Sequence, residues 1–179
     1  MSFEIHPHIP AGGVETIPFL ESLGYSDVPR LYEGIRQHAR EVGITIGPVP
    51  RKYNTHLSLL LTEYAKEQGK TQAYNDAVFK AFWTDGRDIS NSAVLEQIMT
   101  EIGLDFSAAE AGIKSGEYER RFEDEKALAR RLGITAIPAF IFEEKYLISG
   151  AQPVEVFRQA LRETAPPPPA SGPAGSNSL

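Results

Sequence analysis

Thiolate nucleophiles, dithiol redox chemistry, disulfide cross-links and Cys-ligated zinc all require cysteine, and none of the 179 residues is one. Carboxylates, imidazoles and hydroxyls remain. Carboxylates adjoin at Glu123-Asp124-Glu125 and at Glu143-Glu144, but neighbours in sequence point in different directions on a helix, so these read as solvated faces rather than acid/base pairs. His6 and His8 would share one face of a strand, and His38 or His56 could extend them toward zinc, yet no local spacing matches a metal motif and no metal site is expected. The glycines stand at helix ends or as Gly12-Gly13 without a following Lys-Ser/Thr, so no phosphate loop is indicated. Serine, histidine and aspartate occur without a nucleophile elbow. No residue is therefore assigned as catalytic.

The charge balance narrows the partners. Eighteen Lys and Arg against 24 Asp and Glu give a net charge of −6, the wrong sign for a surface that neutralises phosphate or anionic lipid. Nucleic acid and membrane are not expected partners. No apolar run approaches the roughly 20 residues that span a bilayer, and the opening Met-Ser-Phe-Glu-Ile-His lacks the basic and apolar regions of a signal peptide. The expected compartment is the cytoplasm.

Hydrophobic spacing sets the elements that must position any site. Phe3 and Ile5 alternate toward His8 as a short strand, ended by Pro7 and Pro10, and Gly12-Gly13 opens a long loop. Leu31, Tyr32, Ile35, Ala39 and Val42 fall at helical spacing from Val28 to Gly43, and Ile44-Thr45-Ile46 then runs extended. Three further helices follow, one carrying Leu57, Leu60, Leu61, Tyr64 and Ala65. The next carries Tyr74, Ala77, Val78, Ala81 and Phe82, and the third, with Asn91 as N-cap, carries Val94, Leu95, Ile98 and Ile102. A short helix around Ala108 to Lys114 precedes a charged one from Glu117 to Leu132, with Tyr118, Phe122, Ala129 and Leu132 inside and Gly133 as its stop. Ala139 to Phe142 reads as a buried strand, Glu143-Glu144-Lys145 as a turn, and Tyr146 to Ser149 as its hairpin partner. Pro153 starts a last helix whose core face is Val156, Phe157, Ala160 and Leu161. The final fifteen residues, Ala165 to Leu179, contain thirteen Pro, Gly, Ser or Ala and no charge, and read as a disordered tail; a proline-rich ligand for SH3 or WW domains is the sharper alternative.

Several segments together resemble the DsbA superfamily of thioredoxin-fold proteins, most closely its FrnE-like branch of dithiol-disulfide oxidoreductases. They are Asn54-Thr55 opening a helix, Tyr64 to Lys70, Ala81-Phe82-Trp83 with Gly86-Arg87-Asp88-Ile89, Gly103-Leu104-Asp105, Ala127 to Phe140, and Ser149 to Pro153. The resemblance implies an α/β thioredoxin-like fold with an inserted helical domain. Residues 1–52 would be a partial thioredoxin-like part with a connecting helix, 53–116 the inserted helical domain, 117–164 the C-terminal thioredoxin-like part, and 165–179 the tail. From local sequence alone Pro138 reads as a trans proline at a strand start. The resemblance instead implies a cis Ile137–Pro138 bond, whose loop presents a backbone edge to a substrate peptide or to glutathione as co-substrate. By the same resemblance Ile137 and Pro138 are candidate binding residues, with Asn54 and Thr55 at the mouth of the site.

The family pattern places a strand, a Cys-x-x-Cys and a helix before the segment matched by Phe3 to His8, and this fold would lack that first strand and first helix. Disulfide exchange is therefore not expected of this polypeptide, although a complete family member would act on a protein or small thiol. The fold similarity extends to kappa-class glutathione transferases and 2-hydroxychromene-2-carboxylate isomerases, so two alternatives stand: a non-catalytic peptide- or glutathione-binding module, and a glutathione-dependent isomerase or transferase. In the thioredoxin sheet the first strand lies between those matched by Phe3–His8 and Ala139–Phe142. Each buried backbone group left unpaired there costs about 1 to 3 kcal/mol. Direct closure of the two strands, a strand from another chain, or an incomplete sequence would each answer the gap, the last being the favoured expectation, and an exposed sheet edge would promote self-association.

Overall fold

A computed structural model describes residues 3–164, so the expected tail lies outside the described residues. Contacts divide the chain into two compact units, Met1–Leu128 and Ala129–Leu179.

The first unit opens differently from the expected strand. Phe3 to His8 forms no strand; it bends, and Ile9 N–H closes a turn onto the His6 carbonyl at 3.3 Å. Pro7 and Pro10 withhold two ladder donors, and side chains hold the segment instead: the His6 ring meets Phe19 edge-on at 5.0 Å. The loop expected after Gly12-Gly13 is also shorter. β1 (Val14–Glu15) pairs antiparallel with β2 (Arg51–Lys52), and α1 (Thr16–Ser22) follows at once. Gly13 permits that pairing, since its φ is +76° and a Cβ there would collide with the Lys52 carbonyl oxygen. α2 (Val28–Glu41) begins where the spacing places it, with the Asp27 side chain accepting from Arg30 N–H at 3.0 Å and proline in its first turn. A small core of Leu20, Val28, Tyr32 and Val49 joins α1, α2 and the approach to β2, with Phe19, Phe82 and Trp83 against it.

The larger core belongs to five helices: α3 (His56–Glu67), α4 (Thr71–Trp83), α5 (Ser92–Glu101), α6 (Phe106–Lys114) and α7 (Glu117–Arg131). α3 packs on α4 and α6, and α5 packs on both of those. The predicted stripes converge here: Leu61, Ala65, Tyr74, Leu95, Ile98 and Phe122 are all but inaccessible, and so is Met99, which lies outside the expected stripe of α5. Asn91 caps α5 by accepting from Ala93 N–H at 2.9 Å. α6 starts two residues before the expected Ala108, because Asp105 caps it through Ala108 N–H at 3.1 Å. Gly112 leaves room on α6 for the Tyr118 ring, which would meet any Cβ there. Lys66 on α3 bridges the buried Glu63 and Glu125 of α7, both at 2.6 Å. Tyr118 donates to Glu67 at 2.9 Å, and burial together with that carboxylate pushes its phenol up to about 12.

In the second unit β3 (Ala139–Phe142) and β4 (Tyr146–Ser149) form the expected hairpin, in register Phe140 opposite Ile148 and Ile141 opposite Leu147. Among the described residues this sheet has two strands. α8 (Val154–Thr164) covers one face: Phe157 lies edge-on to Phe140 at 4.9 Å, Ile148 and Ala160 are buried, and Tyr146 donates to Glu163. Helical geometry starts one residue beyond Pro153, whose carbonyl accepts from Val156 N–H at 3.0 Å. The expected inner faces are only partly realised, since Leu132, Val156 and Leu161 are exposed. On the hairpin face away from Phe157, Ile141 and Leu147 are 40% and 42% exposed.

Candidate functional site

The Ile137–Pro138 peptide bond is cis, in the loop between the Gly133 stop of α7 and β3. Gly133 supplies the left-handed turn, φ +72°, and Ile134 N–H closes back on Ala129 at 2.9 Å, so the helix ends cleanly before the loop bends through residues 136–138. The Pro138 carbonyl accepts from Gly150 N–H at 2.8 Å, which ties the loop to the far end of β4. Upstream, Thr135, Ala136 and Ile137 are exposed, Ile137 by 46%. Among the described residues no backbone partner is bonded to these three. An exposed apolar side chain beside unengaged N–H and C=O groups is what an extended peptide needs for strand-like pairing.

Asn54 and Thr55 belong to the other unit and are engaged there. Asn54 Nδ2 donates to the Ile9 carbonyl at 2.7 Å and to that of Pro7 at 3.4 Å, while Oδ1 accepts from His56 N–H at 2.8 Å. Both amide donors are thus spent on holding the opening segment to the start of α3. Thr55 precedes α3, and its carbonyl accepts from Leu59 N–H and Ser58 Oγ at 2.9 and 2.8 Å, while its side chain makes no cap bond. Beside them lies a cluster that local spacing did not reveal. His56 Nε2 is 2.9 Å from Glu119, and Nδ1 is 3.5 Å from Glu4, whose side chain is only 4% exposed. These carboxylates are 52 residues before and 63 residues after the imidazole, so only the fold brings them together. His56 also packs edge-on to Phe122, at 5.7 Å.

The other histidines stand apart. His6 is against Phe19, and His38 Nδ1 lies 2.9 Å from the Gly34 carbonyl within α2. Among the described residues no three His, Asp or Glu side chains are gathered so as to hold a metal ion, and no helix is long and apolar enough to cross a membrane.

A helix stop, a cis-proline loop, a strand hairpin and a covering helix define a thioredoxin-type C-terminal half, here accompanied by a bundle of helices. The chain belongs to the DSBA-like thioredoxin domain family, whose pattern it matches over residues 2–162. It is similar to a crystal structure of a probable DsbA oxidoreductase from Streptomyces coelicolor, with a TM-score of 0.82 and 26% identity over 91% of this chain and 73% of that one. It is also 29% identical over 133 residues to the uncharacterized protein YwbO of Bacillus subtilis. That match takes in 72% of this chain and 66% of YwbO, just under two thirds of the relative's length. The fold is DsbA-like, mixed α/β with helix predominant.

Proposed function

We propose that this polypeptide is a FrnE-like member of the DsbA-type thiol-disulfide oxidoreductases. It carries the substrate-holding loop of that class and performs no disulfide exchange by itself. The unengaged backbone of Thr135 to Ile137 before Pro138, beside the exposed Ile137 side chain, is the observation that carries the reading. Exchange proceeds by attack of a thiolate on a disulfide sulfur, and 179 residues without cysteine offer no attacking atom. Binding is the share of the reaction these residues can perform: an extended peptide or glutathione lies along the loop, pairs with its free edge and packs on Ile137. The cytoplasm is the compartment proposed, to be checked by cell fractionation.

Two assays separate binding from turnover. With the purified chain present, dithiothreitol reduces insulin disulfides only at the uncatalysed rate, while calorimetry detects binding of glutathione or a cysteine-containing peptide. Pro138→Ala, which frees φ at the end of the loop and adds a backbone N–H there, weakens that binding about tenfold, on the order of 1.4 kcal/mol. Insulin reduction above the uncatalysed rate, or binding indifferent to Pro138→Ala, refutes the reading.

A further inference from the structure

A cleft of about 660 Å³ opens in the first unit between α1, α2 and the segment leading into β2. Its size is that of a small-molecule site, for which roughly 300 to 1,000 Å³ is usual. Val28, Tyr32 and Val49 form its apolar floor, and four prolines, at 18, 29, 48 and 50, stiffen its walls. Proline fixes φ, so the walls lose little freedom when something binds.

The polar groups lining this cleft are few, and two hydroxyls among them lack partners. Thr16 is 2% exposed; its backbone N–H is satisfied by the Pro50 carbonyl at 2.9 Å, yet its Oγ1 has no hydrogen-bond partner among the described residues. A buried hydroxyl left so is unfavourable, and a ligand that accepts from it removes that penalty. Tyr32 is 7% exposed; its hydroxyl has no hydrogen-bond partner among the described residues and, unlike Thr16 Oγ1, is not sealed from the cleft. Burial pushes that phenol up, so it remains a donor at neutral pH.

The two arginines of the lining differ. Arg51 is committed, donating to the Gly12 and Gly13 carbonyls at 3.0 and 2.9 Å. Arg36 is held loosely: its contact to Glu33 is 3.7 Å, while Glu33 prefers Arg40 at 3.0 Å, and its guanidinium lies 5.9 Å from the centre of the Tyr32 ring. One loosely held cation beside two unpartnered hydroxyls and an apolar floor calls for a single negative charge on an apolar body. Glu15, also in the lining, opposes a second charge such as that of a phosphate.

We propose that the cleft binds a small amphipathic monocarboxylate, an aryl- or alkyl-alkanoate whose carboxylate meets Arg36 and the hydroxyls of Tyr32 and Thr16 while its apolar end covers Val28 and Val49.

The test titrates the full chain with 3-phenylpropionate and with its uncharged analogue 3-phenylpropan-1-ol, followed by NMR and calorimetry. Saturable binding of the acid is expected, tighter than the alcohol by about tenfold, with shifts centred on Thr16, Val28 and Val49. Arg36→Gln abolishes the preference for the acid, and Tyr32→Phe, which keeps the ring, weakens the acid several-fold and the alcohol less; unchanged thermal melts show that both variants fold. Equal affinity for acid and alcohol, shifts centred elsewhere, indifference to both substitutions, or no saturation up to about 5 mM, where weak sites still register, overturns the proposal.

Discussion

At the scale of single residues, Lys66 and His6 illustrate opposite effects of burial on a cation. Desolvation alone would lower the Lys66 ammonium, but the hydrogen bonds it donates to Glu125 and Glu63 outweigh it, and the net shift is upward. Its charge therefore holds α3 to α7 throughout the neutral range. Lys66→Met removes the bridge and leaves the 5%-exposed Glu63 carboxylate without its cation. Losing one partner of a buried pair costs about 3 to 5 kcal/mol, and the partial exposure of Lys66 reduces this to roughly 2 kcal/mol. Urea denaturation measures it, and a change below about 0.5 kcal/mol, the scale of an ordinary surface substitution, contradicts the assignment. His6 has no such compensation: burial, then Lys52 and His8, hold its imidazole below the usual 6.5. The unfolded chain thus takes up this proton first as pH falls through 6.5, and stability drops until the folded imidazole is also protonated. This window lies above that of Glu33 and Glu163, held low by Arg40 and by Gln159 with Tyr146, whose contribution is lost only in acid. His6→Phe, which keeps an aromatic contact to Phe19, flattens the melting temperature between about pH 7 and pH 5. Parallel curves for the two proteins would exclude His6 as the cause.

Elements show where local pattern suffices and where it does not. The stripes of α4 and α5 were legible because each helix buries one face, and a 3.6-residue repeat then marks that face directly, whereas α3 is buried all round from Leu60 to Ala65 and its apolar stripe marked only part of what it encloses. The hairpin was legible from Ala139 to Phe142 and Tyr146 to Ser149 with its turn at Glu143-Glu144-Lys145, although the backbone of that turn was not: Glu143 and Glu144 both adopt positive φ, 48° and 55°, where Asn-Gly would be the ordinary choice. Phe3 to His8 looked like a strand because alternation cannot register that Asn54 and His56, some fifty residues on, hold the segment by side chains. Of the site, the proline could be placed in sequence, but its cis geometry rested on family resemblance. The Glu4–His56–Glu119 cluster carried no local signal at all. The hairpin also has a consequence for association, since Ile141 and Leu147 place exposed apolar side chains on the face away from Phe157, beside strand edges that no third strand among the described residues covers. Sedimentation velocity is expected to show concentration-dependent self-association that Leu147→Lys reduces, because a lysine on an edge strand disfavours pairing with a second chain. A wild-type protein that remains monomeric across the concentration series removes the hairpin as an association surface.

At the scale of the whole molecule, apolar burial is distributed unevenly between the two units, and stability should follow it. Fourteen buried residues, including the fully enclosed Leu61, Leu95, Met99 and Phe122, form one continuous cluster within the first unit. Among the described residues of the second unit only Ala129, Ile148 and Ala160 are buried apolar positions. Local opening free energy depends on such contacts, so β3 and β4 are expected to open without the helical bundle. In native-state hydrogen exchange the amides of α3 and α5 should reach the highest protection, while those of Phe140 and Ile148 exchange through an opening several kcal/mol less costly. Leu61→Ala separates the two processes: a Leu→Ala change at a closed core position costs about 2 to 5 kcal/mol, and it lowers protection in α3, α4 and α5 together. Exchange in β3 and β4 then keeps its original rate if their opening is local. Should the hairpin amides lose protection in step with the helices, the two units unfold as one cooperative body, and the loop at Pro138 is held by the same equilibrium as the helical core.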